Sequence, residues 1–381
     1  MLSARRLGMA RTVAYRRDER RAYWAMVLPA FILYLFVMAF PIAISIILSL
    51  SNFNGGKMFG GERWRITGFQ QYAKLVADPQ FWLALKNNVY IVLISVFGQL
   101  PLGFVFAYLI YRRIVRFGDF WQGVLYMPAI ISVIVLGIMW NMIFAPSGLI
   151  ADVMNKWYAN AFSHKLDVIL RASGGFNVTD GFVHRIVDIS DPVALQIFND
   201  PFTELKDIIV AYTPGQLAVF RSDMVNLLAH KWSPDFLSKA DVAMIPIMFV
   251  TLWCWTGLYL ILFLANMQKI DVAIVEAARI DGATEGQVMG RIVLPSLSGV
   301  IVNAAILCIS GSLNSFALIW AMTGGGPARV TEVLSIYMYT NAFHGAPHYP
   351  LANAIALSIV IFSFILIGLT KLVEKRYGGR E

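Results

Sequence analysis

The stretch AMIPIMFVTLWCWTGLYLILFLANM, residues 243–267, contains no charged side chain. A helix rises about 1.5 Å per residue, so these residues exceed the ~30 Å hydrocarbon thickness of a bilayer. The run is too long for a buried strand, and in lipid a helix is the open way to satisfy every backbone N–H and C=O. Five further runs of this kind lie at about 24–50, 82–111, 119–145, 297–322 and 350–372. None carries Asp or Glu in its interior, and Lys86 stands near one end of its run. Pro101 and Pro128 fall inside runs, which predicts kinks there. The expected fold is therefore an all-α polytopic membrane protein of about six transmembrane helices.

The composition agrees. Of 381 residues, 58% are hydrophobic and 14% charged, where a soluble domain carries nearer a quarter charged. The formal charge of +8 does not point to nucleic acid, because the basic residues lie in short blocks beside apolar runs. Cys254 and Cys308 each sit within an apolar run and make no metal or disulfide spacing. The run from Tyr23 to Leu50 is too long for the core of a cleavable signal peptide.

Lys and Arg set the orientation. Arg5, Arg6, Arg11, Arg16, Arg17, Arg20 and Arg21 precede the first run, Arg112, Arg113 and Arg116 follow the second, and Lys371, Lys375, Arg376 and Arg380 follow the sixth. With six spans all three blocks face one side, so both termini are expected in the cytoplasm. The chain then divides into a basic tail (1–23), three spans (24–145), an extracytoplasmic insert (146–242), three more spans (243–373) with a cytoplasmic loop at 268–296, and a tail (374–381). The insert is expected to form a small folded subdomain, because it holds apolar residues from Phe176 to Phe220. Asp207–Tyr212 and Gln216–Arg221 flank Thr213-Pro214-Gly215 and read as a β-hairpin. The sequon Asn177-Val178-Thr179 reads as chance.

Between the fourth and fifth runs lies IVEAARIDGATEGQVMGRIVLP, residues 274–295. Val272 to Ile280 reads as a short amphipathic helix. Gly282 follows its end, where a left-handed residue stops a helix. Thr284 can cap a second helix, and Pro295 suits the first turn of the fifth run. The expected product is a helix–turn–helix elbow, with Ala277 and Ala278 small enough to let another protein approach.

The spacing of Glu276, Ala277, Ala278, Gly282, Ile292, Leu294 and Pro295 resembles the signature loop of permease subunits of binding-protein-dependent ABC importers. Leu125–Pro128, Gly137–Trp140, Trp255–Gly257, Met322–Pro327 and Tyr339–Phe343 resemble the sugar-permease branch, the group of the larger maltose permease subunit and the glycerol-phosphate permease. The likeness covers about residues 20–155 and 232–375. Two departures stand out: Asp271 where the family often has Pro, and Met289-Gly290 where aromatic residues are common. The resemblance implies the architecture of a type I ABC importer in the bacterial cytoplasmic (inner) membrane. It further implies an elbow of Glu276, Ala277, Ala278, Asp281, Gly282, Ile292, Leu294 and Pro295 that couples to a separate ATPase subunit, itself a dimer. The other implied partners are a second permease, giving a heterodimer, and an extracytoplasmic solute-binding protein.

The chain contains no phosphate-cradling Gly-x-x-x-x-Gly-Lys-Ser/Thr stretch, so ATP and Mg belong on the partner ATPase and this chain is expected to bind no cofactor. His344 and His348 are four apart but separated by Pro347, and no metal site is expected. A sugar needs hydrogen-bonding groups and aromatic faces. Trp253, Trp255 and Tyr259 in the fourth run and Ser312, Asn314 and Ser315 in the fifth are the candidate substrate path, with polar glue between helices as the competing reading. A proton-coupled secondary transporter would need ionisable residues within spans. A receptor built on the insert would hardly need six spans.

Overall fold

The computed structural model describes residues 23–55, 65–145, 148–154, 156–157 and 236–377. The expected hairpin, the sequon and the apolar residues of the insert lie outside them. Among the described residues the chain is helical, with one isolated antiparallel bridge from Ser51 to Ile66. The helices used below are α1 (Tyr23–Ser49), α2 (Gln70–Ala77), α3 (Pro79–Tyr111), α4 (Gly118–Ile130), α5 (Val133–Phe144), α6 (Met244–Met267), α7 (Val272–Ile280), α8 (Glu285–Ser296), α9 (Ser298–Leu313), α10 (Phe316–Thr323), α11 (Leu334–Phe343) and α12 (Tyr349–Tyr377). Among the described residues, five helices are long and apolar enough to cross a membrane: α1, α3, α6, Val133–Met154 and Tyr349–Leu372. The bent pair of α8 and α9, which meet at 71°, passes the same test only when the two are taken together as one span.

Two runs that read as continuous spans are interrupted. The run at 119–145 breaks at Ile131 and Ser132, which are extended between α4 and α5. Pro128 stands in the last turn of α4, and its effect is an ending rather than the expected kink. The run at 297–322 breaks at Asn314 and Ser315, between α9 and α10. Pro295 also lies elsewhere than expected. It belongs to the final turn of α8, and the span proper begins at Ser298.

Prolines leave a second mark. Among the described residues, three helices contain a widened i→i+5 turn, at Leu35–Ala39, Ser95–Gln99 and Met289–Val293. Each ends two residues before a proline: Pro41, Pro101 and Pro295. A proline ring collides with the carbonyl four residues back and offers no N–H to it. Widening the turn moves that carbonyl aside, and the residue before each proline donates five residues back instead: Phe40 to Leu35, Leu100 to Ser95 and Leu294 to Met289.

The chain forms two compact units. The first comprises residues 1–85 and 334–369. Its core gathers Leu75, Phe81, Ala84, Leu334, Tyr337 and Ile355. Polar ties fix it: Ser45 donates to Asn353 at 2.6 Å, the hydroxyls of Ser49 and Tyr72 lie 2.9 Å apart, and Tyr337 donates to Asp78.

The second unit, residues 86–333 with 370–381, is organised around α6. α6 packs on α3 and on α4, and small residues make both crossings close. A Cβ on Gly103 of α3 would stand 2.9 Å from Tyr259 Cβ, and one on Gly257 of α6 would stand 2.0 Å from the carbonyl oxygen of Leu125 in α4. Gly137 of α5 meets Ala321 of α10 in the same way. After α10 the turn at 324–333 is held by Asn87, which donates to the carbonyls of Val330 at 2.7 Å and Glu332 at 2.8 Å. The buried Glu332 carboxylate receives both arms of Arg329 at 2.9 Å.

A matched pair of substitutions tests the α4–α6 crossing. Ala is the better helix former by roughly 1 kcal/mol. Gly123→Ala, in open space on α4, is expected to hold or raise the thermal midpoint of the detergent-solubilised protein. Gly257→Ala is expected to lower stability by about 1–3 kcal/mol, because overpacking outweighs propensity. Equal midpoints for the two variants would refute the close crossing.

Candidate functional site

The elbow forms from local signals. Asp271 caps α7 by accepting from the backbone N–H of Ala273 at 2.9 Å. At the other end Gly282 has φ +83°. The N–H of Ala283 reaches the carbonyl of Ala278 at 2.9 Å and that of Gly282 reaches Arg279 at 3.0 Å, the double closure of a Schellman turn. Thr284 then opens α8 with a capping box: its hydroxyl accepts from the Gln287 N–H, and the Gln287 side chain accepts from the Thr284 N–H. Val275, Val288, Val293 and Leu297 turn inward onto Phe104, Ala107 and Met267. Glu276, Ala277, Asp281, Gly282, Pro295 and the apolar Ile280 and Leu294 are exposed, Ile292 is half-buried, and Ala278, also half-buried, packs against the same apolar cluster.

One carboxylate ties this elbow down, and the sequence reading did not include it. Glu285, the first residue of α8, receives Arg112 through Nε and Nη2 at 3.2 Å each, the Tyr108 hydroxyl at 2.7 Å, and Arg279 of α7. Hydrogen bonds from Arg112, then Arg279 and Tyr108, hold the Glu285 carboxyl at about 2, well below the usual carboxylate range, and Glu285 in turn raises Arg112. The position after a Thr cap favours an acid through the helix dipole, which was the available local signal. Its partners lie 173 and 177 residues away, and no local signal reaches them.

A cavity of about 300 Å³ lies among α3, α5, α6, α9 and α10. Its wall includes Trp255, Tyr259, Ser312, Asn314 and Ser315, all named from sequence, together with Ser95, Gln99, Thr251 and Cys308, which were not. The broken backbone at Asn314–Ser315 borders the cavity, and so does Val133, next to the other break. Trp253 is absent from the lining. It packs edge-on against Trp140 with ring centroids 5.4 Å apart. The reason is helical phase: Trp253 lies about 200° around α6 from Thr251 and from Trp255.

Three of the hydroxyls here bond locally. Ser312 donates to the Cys308 carbonyl at 2.7 Å, Ser315 to Ser312 at 2.8 Å and Thr251 to Ile247 at 2.7 Å, each to its own local backbone. Bonds between helices meet at Gln99, whose amide donates to the Thr251 carbonyl at 2.8 Å and whose Oε1 accepts from Cys308 Sγ at 3.7 Å. Among the described residues, no Asp, Glu, His, Lys or Arg lines the cavity.

Residues 99–379 match the family model described as binding-protein-dependent transport system inner membrane component. The chain belongs to this family. It is therefore a multi-pass inner-membrane permease component of a binding-protein-dependent ABC importer, not the ATPase. The permease is 24% identical over 345 residues to a probable ABC transporter permease protein of Pyrococcus horikoshii, covering 89% of this chain and 91% of the relative. It is also 24% identical over 345 residues to the lactose transport system permease protein LacF of Rhizobium radiobacter, covering 90% of each. Its fold is similar to that in a crystal structure of a bacterial alginate ABC transporter in complex with alginate pentasaccharide-bound periplasmic protein. There the TM-score is 0.62 at 18% identity, covering 95% of this chain and 98% of that chain.

The Glu285 cluster makes the permease's elbow sensitive to acid. Because the folded-state pKa is lowered from 4.5 to about 2, the carboxylate's contribution is fully present above about pH 4.5 and is lost as pH falls through about 2. Hydrogen exchange of the amides in 272–296, corrected for intrinsic rate, is expected to rise across that window in the unaltered protein. Glu285→Gln is expected to exchange faster throughout, with little change across the window.

Proposed function

We propose that this permease carries a sugar or related polar carbohydrate, delivered by a solute-binding protein, through the cavity walled by Trp255, Tyr259, Ser312, Asn314 and Ser315. The observation that carries the reading is the wall itself. Aromatic faces and neutral hydrogen-bonding groups stand together with no ionised side chain among them, the combination that suits a polyol. The relative named for lactose supports the same substrate class, while the alginate transporter of similar fold, which is involved in the import of an acidic polysaccharide, supports carbohydrate as the broader class. The finer likeness, to the larger maltose permease subunit and the glycerol-phosphate permease, rests on Leu125–Pro128, Met322–Pro327 and the other quoted motifs.

The elbow at 268–296 serves as the surface that docks on the ATPase dimer, where ATP and Mg are bound. Its exposed Glu276 meets polar or basic groups, and Ala277 and Ala278 permit close packing. The arginine blocks place elbow and termini in the cytoplasm. The solute-binding protein then arrives on the opposite side, where the insert at 146–242 contributes to its contact, and a second, different permease completes the pore.

Two experiments test this reading. Single cysteines at Trp255, Ser312, Asn314 and Ser315, in a background lacking Cys254 and Cys308, are expected to react with a water-soluble thiol reagent, with protection by an oligosaccharide at two or more positions. Uniform inertness would end the path hypothesis. Gly282→Val is expected to cost about 1 kcal/mol or more at a positive φ. It should abolish binding-protein-stimulated ATPase activity while insertion into the membrane is retained, and unchanged stimulation would remove the elbow from the coupling path.

A further inference from the structure

Among the described residues, the hydrogen bonds that tie α3 to the elbow converge on Glu285. Its carboxylate takes the forked guanidinium of Arg112, and the Tyr108 hydroxyl lies 2.7 Å from that carboxylate and 3.0 Å from the Glu285 carbonyl. The pair is enclosed, with the Arg112 side chain 12% exposed and Tyr108 within the apolar core. Apolar packing between Val288, Val293 and Phe104 attracts without direction. A fork of two hydrogen bonds on one carboxylate adds a fixed register.

The other end of this segment of α3 lies at the cavity. Ser95 and Gln99 line it, and the widened turn that contains both is followed by Leu100–Tyr111 as an unbroken helix. From Gln99 to Arg112 is 13 residues, about 20 Å of helix. The lower half of α3 is thus a rod, fastened to the elbow at one end and bearing on the cavity wall at the other. Widened turns recur at functional sites and mark where a helix can flex.

We propose that Glu285 is a positioning residue that locks the lower half of α3 to the elbow, so that displacement of the elbow is delivered to the Ser95–Gln99 wall of the cavity. The proposal rests on the reading of the elbow as the ATPase contact. Arg279 makes the informative contrast. It too bonds Glu285, but it joins α7 to α8 within the elbow and does not reach α3. Losing Arg279 loosens the elbow, whereas losing the Arg112–Glu285 fork separates the elbow from the rod.

The test uses the complete transporter, with both permeases, ATPase and binding protein, in nanodiscs and in a background lacking Cys254 and Cys308. Two reporter cysteines are read separately: Ala277→Cys, by its cross-linking to the ATPase, and Ser95→Cys, by its labelling rate, each with and without trapped nucleotide. In the otherwise unaltered transporter both reporters are expected to respond to nucleotide. With Glu285→Gln or Arg112→Gln, the elbow reporter is expected to keep its response while the response at Ser95 falls about tenfold, within the usual span of coupling between sites. The double variant should be no worse than either single one, because the two residues act as a unit. Arg279→Gln should leave the Ser95 response intact. Tyr108→Phe, which removes one hydroxyl, should give a partial loss and serves if the charge variants do not assemble. A full response at Ser95 in the fork variants, or equal loss in Arg279→Gln, would overturn the proposal. An elbow reporter silent to nucleotide in the otherwise unaltered transporter would instead overturn the reading of the elbow, and the proposal with it.

Discussion

A bilayer interior offers no hydrogen-bond partner to a peptide group, and among the described residues the placement of two breaks within apolar runs follows from that constraint. Where a helix meets lipid along its length, the backbone stays bonded to itself. α1 is apolar and exposed almost throughout, and even at Pro41 it stays helical by widening one turn. The outright interruptions, at Ile131–Ser132 and Asn314–Ser315, lie at or next to residues that line the cavity. There the peptide groups can find water or a solute. The elbow turn at Asp281–Ala283 instead closes its own carbonyls through the double bond to Ala278 and Arg279.

Much of this was legible in the sequence where the cause was local. Asp271, Gly282 and Thr284 each act within five residues of their position, and they stop and start α7 and α8 as their chemistry dictates. The six apolar runs were also plain, because lipid acts on side chains one at a time. Hydropathy is blind to helical phase, however, so Trp253 and Trp255 looked equivalent although they face nearly opposite directions. It is equally blind to a broken backbone, since Asn314 and Ser315 lower the apolar character of their run only slightly. The widened turns had a readable sign in proline, but the sign permits a kink, a wide turn or an ending.

The second unit depends on close approach more than on polar attachment. Gly103 and Gly257 bring α3 and α4 against α6 at distances that no side chain would allow. Directional bonds then add fixed points: Asn87 on the turn after α10, Gln99 on α6, Asn141 on Met322 and Arg112 on Glu285. Two charge pairs between elements, Arg112–Glu285 and Arg279–Glu285, share one carboxylate. With the Tyr108 hydroxyl they put three donor side chains on Glu285, which stays partly open to solvent.

The back-bonded hydroxyls of Ser312, Ser315 and Thr251 give the cavity a chemical polarity. Each has given its proton to a backbone carbonyl, so what it turns toward a visitor is lone pairs. These three positions therefore present acceptors. A neutral polyol, which bears a donor on every hydroxyl, can satisfy them in many orientations and slide from one to the next. A carboxylate or phosphate brings only acceptors of its own and meets no cation on the wall. The same three bonds that settle the serines and the threonine within their helices thus leave these points of the cavity wall chemically suited to uncharged, hydroxyl-rich molecules.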